Sequence, residues 1–158
     1  MATTDPVRPG FALPLLLLAG FRTLIDDLHA ELARQGHPEM RPLHGFVLQA
    51  VGPHGTTATE LGQRLGVSKQ AAGKTVDRMV ALGYLERADD PRDARRKLVR
   101  MTARGRDGLA RSAVTFDALR DRWAAVLGPE RVAAIEDDLH TVAAADIFRL
   151  DVPGWFGT

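Results

Sequence analysis

The stretch TTATELGQRLGVSKQAAGKTVDRMVALGYLER, residues 56–87, constrains the fold of this chain more than any other. Thr57 with Glu60 three residues on is a capping-box pair, so a helix starts there, buries Leu61 and Leu65, and stops at Gly66. Ser68 is a good N-cap for a second helix running to Leu82, with Gly83 placed to close it in the left-handed conformation. That helix turns Ala72, Val76, Met79 and Val80 inward, while Gln70, Gly73, Lys74, Asp77 and Arg78 fall on or beside the opposite face. Two short amphipathic helices joined by Gly-Val-Ser form a helix-turn-helix.

The flanking sequence supplies the rest of the elements. After a ragged start with Pro6, Pro9 and Pro14, helical spacing (Leu17, Phe21, Leu24, Leu28, Leu32) predicts a helix over 13–35, ending near Gly36 with Pro38 beyond. A short helix over 42–51 carries Leu43, Phe46, Val47 and Ala50 on one face, and GPHG at 52–55 breaks it. Tyr84 to Ala88 and Lys97 to Met101 read as two strands of a hairpin, joined by an eight-residue charged loop that accommodates Pro91. Thr102 caps a helix with Leu109, Phe116, Leu119, Trp123 and Val126, and Pro129 opens a last one striped by Val132, Ile135, Leu139 and Val142. The fold class is mainly α (α+β): one domain over 1–158, with a helix-turn-helix and hairpin lobe at 42–103 flanked by helices at 11–36 and 104–152.

Cysteine is absent, which excludes disulfides, thiolate metal sites and cysteine-based redox sensing, and fits a cytoplasmic protein. The apolar run FALPLLLLAGF from Phe11 is too short for a membrane span, which takes about 20 residues, and no small-x-small cleavage site follows it. Net charge is only +1, but it is unevenly placed. Residues 60–106 hold twelve Lys and Arg against six Asp and Glu, whereas both ends are net acidic. A basic centre between acidic ends points to a polyanion partner.

A helix-turn-helix followed by a basic hairpin has a direct use on double-stranded DNA. The second helix enters the major groove with its N-terminal half toward the base edges, and the hairpin, or wing, reaches a flanking minor groove whose negative potential attracts arginine. On the helix the contacting residues are Ser68, whose turn presents free amides to a phosphate, with Lys69, Gln70, Lys74 and Arg78; Gly73 allows close approach. On the wing they are Arg92, Arg95 and Arg96, with Asp93 expected to fix one arginine fork. Asp77 is expected to pair with Arg78 or with a wing arginine.

From about Leu43 to Gly105 the sequence resembles the multiple antibiotic resistance regulator (MarR) family of winged-helix transcription factors. TELGQRLGVSKQAAGKTVDRMVALGYLER, then DPRDARRKLVRMTARG, carry the resemblance, and the flanking helices extend it to roughly residues 12–150. It implies a homodimer whose N- and C-terminal helices interlock, bound to a pseudo-palindromic operator, often as a repressor, and released by small aromatic or phenolic effectors. It places the family's wing Asp and Arg on Asp93 and Arg95 and the base reader on Lys74, and sets an effector pocket near Phe21, His44 and Phe46. Two positions depart from the pattern. Ala94 stands where a second wing arginine is common, and Met40-Arg41-Pro42 lacks the usual polar N-cap beside the pocket.

Other readings compete with this one. A winged helix can be a protein-interaction module, which would not need a basic recognition face. A basic patch can also serve a small anion without DNA. Glu136 and His140 have the spacing of two metal ligands on one helix face, but no third ligand is evident, and no cofactor is expected. His37, His44 and His54 flank the short second helix, where a pocket or pH-sensitive role is conceivable. No nucleophile–base pair or Gly-rich phosphate loop suggests an enzyme. Leu17, Phe21, Leu24, Leu28, Phe116, Trp123, Ile135 and Leu139 are core residues that one chain could not fully cover, so an intertwined dimer is expected, with Trp155 and Phe156 anchoring the tail on the partner.

Overall fold

The computed structural model describes residues 8–91 and 93–143. The order is α1 (Ala12–Arg34), α2 (Pro42–Val51), α3 (Ala58–Leu65), α4 (Lys69–Ala81), β1 (Leu85–Asp90), β2 (Asp93–Met101), α5 (Ala103–Leu127) and α6 (Pro129–Val142). The helix boundaries follow the capping signals to within a residue or two, because a cap is a local interaction that does not depend on the rest of the fold. Among the described residues no helix is long and apolar enough to cross a membrane.

The wing departs from its expected form. Its charged segment is not an eight-residue loop: the strands run on to Asp90 and from Asp93, with Pro91 in a turn. Antiparallel pairing runs from Leu85 opposite Met101 to Asp89 opposite Lys97, and an irregularity follows at Asp90. Opposite charges across the ribbon make the extension favourable, since Asp89 and Lys97 form an ion pair where strand propensity alone predicts none. Thr56 adds a further bridge to Val99, with bonds of 3.0 and 2.7 Å in the two directions, so the wing root is stitched to the segment before α3.

One core joins the flanking helices to the helix-turn-helix. Leu32 from α1, Leu48 from α2, Leu61 and Leu65 from α3, Val76 and Met79 from α4, and Tyr84, Leu85 and Val99 at the wing root are essentially inaccessible. Val80, expected among them, is only partly buried. α5 comes close through small residues, Gly105, Gly108 and Ser112, on its buried face. Much of the apolar stripe of the flanking helices is uncovered in the single chain: Leu17 and Phe21 on α1, Phe116 and Val126 on α5, and Ile135 and Leu139 on α6 are all exposed, whereas Leu28 and Leu119 are buried. Trp155 and Phe156 lie outside the described residues.

Candidate nucleic-acid interface

α3 and α4 meet at the turn the sequence marks. Thr57 Oγ1 accepts the Glu60 amide at 3.2 Å, and Glu60 Oε2 accepts the Thr57 amide at 3.0 Å, completing the capping box. Gly66 takes φ +67° at the end of α3, a conformation that penalises any side chain, and Ser68 Oγ then caps α4 by accepting the Ala71 amide at 3.1 Å. With Ala72, Val76 and Met79 buried against the core, α4 presents Lys69, Gln70, Lys74 and Arg78 outward. Gly73 faces open space: a methyl group there would meet no protein atom within 4 Å. Its lack of a side chain therefore answers to no packing demand within the fold.

The wing arginines separate into different environments. Arg96 donates to Glu60 Oε1 at 2.8 Å, with Asp90 3.9 Å away. Arg95 is exposed, and its backbone amide donates to Asp93 Oδ1 at 2.9 Å. Asp93 thus shapes the turn by binding a main-chain amide. Arg92 lies outside the described residues. Among the described residues Asp77 pairs not with Arg78, Arg95 or Arg96 but with Arg87 on β1, at 2.6 Å. Among the described residues Lys69, Lys74, Arg78 and Arg95 have no ion-pair partner. Between the start of α3 and the wing lies a cleft of about 540 Å³, lined by Lys69, Arg87, Arg96 and Lys97, with Glu60 as the one acid in its lining. The Thr57 amide and the Thr56 hydroxyl, helped by Arg96, hold Glu60 down at about 2, so it is a carboxylate at any working pH.

Beneath this surface lies a polar network that sequence reasoning missed. His37, almost fully buried, bonds Asp107 Oδ2 through Nε2 at 2.8 Å and the Tyr84 hydroxyl through Nδ1 at 3.2 Å. The Arg104 guanidinium sits 4.8 Å over the Tyr84 ring, and Arg111, ahead of His37, holds Asp107 below the usual carboxylate range. The network ties the α1–α2 connection, the wing root and α5 together. The sequence marked His37 only as one of three histidines flanking the short second helix, and nothing there pointed to Tyr84 or Asp107.

His44 is explained by the start of α2. Lacking a polar N-cap, the helix uses His44 instead: its Nδ1 accepts the Arg41 amide at 3.3 Å while the ring is buried. Of the three pocket residues suggested by the family resemblance, Phe46 alone lines the cavity of about 40 Å³ between α1, α2 and α5, with Met40, Leu109 and Phe116. Phe21 is exposed on α1. Glu136, considered as a metal ligand with His140, instead binds Arg120 through two bonds of 2.7 and 2.8 Å.

Burial, then the charge of Arg41, lowers both His29 and His44 from the ordinary histidine value of 6.5. A group neutral in the fold and more basic when unfolded stabilises fully above 6.5 and progressively less as pH falls below it. The melting temperature is therefore expected to drop between pH 7 and pH 5.5. His44→Gln, whose side-chain oxygen can still accept the Arg41 amide, is expected to flatten that drop in a melting series; equal slopes would place the titration elsewhere.

A helix-turn-helix with a two-stranded wing tied to both of its helices is a winged helix-turn-helix. Residues 40–96 match the model of the MarR family. Solved structures share the fold over most of the chain. The transcriptional repressor CouR bound to a 23-mer DNA duplex is 23% identical, with TM-score 0.67 over 89% of this chain and 100% of that one. PcaV from Streptomyces coelicolor, in complex with its natural ligand, is 26% identical, with TM-score 0.62 over 92% and 99%. Apo MarR from E. coli is 23% identical, with TM-score 0.63 over 87% and 99%. No match was found among curated protein sequences.

Proposed function

We propose that this chain is a cytoplasmic, sequence-specific DNA-binding transcriptional regulator, a ligand-responsive repressor acting as a homodimer on a pseudo-palindromic operator. The observation that carries the reading is the outer face of α4: among the described residues Lys69, Lys74 and Arg78 have no ion-pair partners, and a methyl group at Gly73 would meet nothing within 4 Å. A helix is about 10–12 Å across with its side chains and fits a major groove about 12 Å wide. Arg95 on the wing then meets the flanking minor groove. The exposed apolar residues of α1, α5 and α6 support dimerisation through the flanking helices, which sets two α4 helices about one DNA turn apart. A small aromatic or phenolic effector near Phe46 would act by favouring a lobe spacing that no longer fits the operator.

The direct test is fluorescence anisotropy with DNA selected from a random pool, compared with scrambled DNA over a range of salt. A dimer neutralising about 8 phosphates gives a slope of log K against log salt near −7. Binding that never distinguishes the selected from the scrambled DNA would sink the proposal. Gly73→Ala gives a sharper expectation. Replacing a mid-helix glycine by alanine stabilises the free protein by about 0.5–1 kcal/mol, yet the added methyl is expected to weaken specific DNA binding about tenfold. Denaturation and anisotropy on the same sample should move in opposite directions.

A further inference from the structure

We propose that Glu60 is a positioning residue for the wing: through Arg96 it forms a strut that fixes the wing against the helix-turn-helix and holds Arg96 back from the DNA. The proposal rests on the DNA-binding reading above. The two carboxylate oxygens of Glu60 have divided tasks. Oε2 accepts the Thr57 amide at 3.0 Å and the Thr56 hydroxyl at 2.9 Å, both at the start of α3, while Oε1 accepts Arg96 Nη2 at 2.8 Å on β2. Thr56 is also the residue whose backbone pairs with Val99, so Glu60 sits above the point where β2 is stitched to α3. Arg96 lies three residues nearer the wing tip, about 10 Å along the strand, where a second tie has leverage over the tilt. Asp77 and Arg87 anchor the other strand to α4 at 2.6 Å. The wing is thereby referred to both helices of the motif.

The charge of Glu60 supports this reading. A capping box accepts glutamine as well as glutamate, and a carboxylate in a cleft whose other charged lining residues are Lys69, Arg87, Arg96 and Lys97 repels the phosphates that those cations attract. A negative charge there works against DNA unless it orders something, and Arg96 is what it orders. Adjacent strand residues point to opposite faces, so holding Arg96 on Glu60 leaves Arg95 on the other side of the ribbon.

Glu60→Gln keeps the capping box while removing the charge, and Arg96→Met removes the other half of the pair. In the free protein, hydrogen exchange at the amides of Arg95 to Leu98 is expected to quicken in both variants. On selected DNA each is expected to bind about fivefold more weakly, the double variant no more weakly than either, with the salt slope unchanged. Unchanged exchange in Glu60→Gln overturns the strut whatever happens on DNA. Tighter or equal DNA binding by Glu60→Gln overturns it too, as does a double variant whose losses multiply, or a slope reduced in Arg96→Met, which would make Arg96 a phosphate contact. If the wild-type protein selects no DNA, the regulator reading fails, and the exchange result alone still decides the strut.

Discussion

Gly105→Ala is expected to destabilise the protein by about 3 kcal/mol and to lower its melting midpoint by roughly 10 °C. A methyl group at this position would lie 2.2 Å from the Tyr84 carbonyl oxygen and 3.4 Å from Leu48 Cδ2. The nearest atom is backbone, so no rotamer change relieves the clash and α5 itself must shift. That shift would disturb the Thr102 cap on the Gly105 amide (3.0 Å), and the Thr102 amide bond to the Tyr84 carbonyl (3.1 Å). Tyr84 also carries the His37 bond, so the strain reaches the junction between flanking helices and lobe. Gly45→Ala is the control: it too lies inside a helix, but a methyl there meets nothing within 4 Å and should be neutral or slightly stabilising. Chemical denaturation of the two variants side by side decides the matter, and equal stabilities would mean that α5 does not pack as closely as described.

Lys74→Ala is expected to lower affinity for selected DNA by about 30-fold or more, because a base contact is worth about 1–3 kcal/mol and the proposed homodimer would lose two. Lys74 is exposed at the middle of the outer face of α4 and makes no ion pair among the described residues, so its removal should leave the melting temperature unchanged. Scrambled DNA should lose far less. Arg95→Ala should behave differently: preference for A·T-rich flanks should disappear while discrimination in the central half-sites persists. Competition titrations with operator variants separate the two effects. A uniform loss across all sequences in Lys74→Ala would reassign that residue to phosphate contact.

Much of the lobe was legible because its signals are local. Thr57 with Glu60, Gly66 and Ser68 act within a single turn of chain, and the structure places α3 and α4 where those residues mark them. The wing was misread for the opposite reason. Residues 89–96 lack the apolar alternation that marks a strand, and pairing across the ribbon, Asp89 with Lys97 and Asp90 with Asp93, carries the strands beyond what that pattern predicts. His44 was singled out beside an anomalous helix start, but its ring serves that start by accepting the Arg41 amide.

By itself the sequence determined the helix-turn-helix, the caps and the concentration of positive charge at the centre of the chain. Each follows from neighbours three or four residues apart or from simple composition. Only the tertiary structure decided which charged groups are already partnered. Arg96 finds Glu60 thirty-six positions away and His37 finds Asp107 at seventy, whereas Lys74 has no such ion pair among the described residues. The physical reason is that a charged side chain reads alike in sequence whether it is solvated or paired, and its partner is set by which elements the buried core brings together.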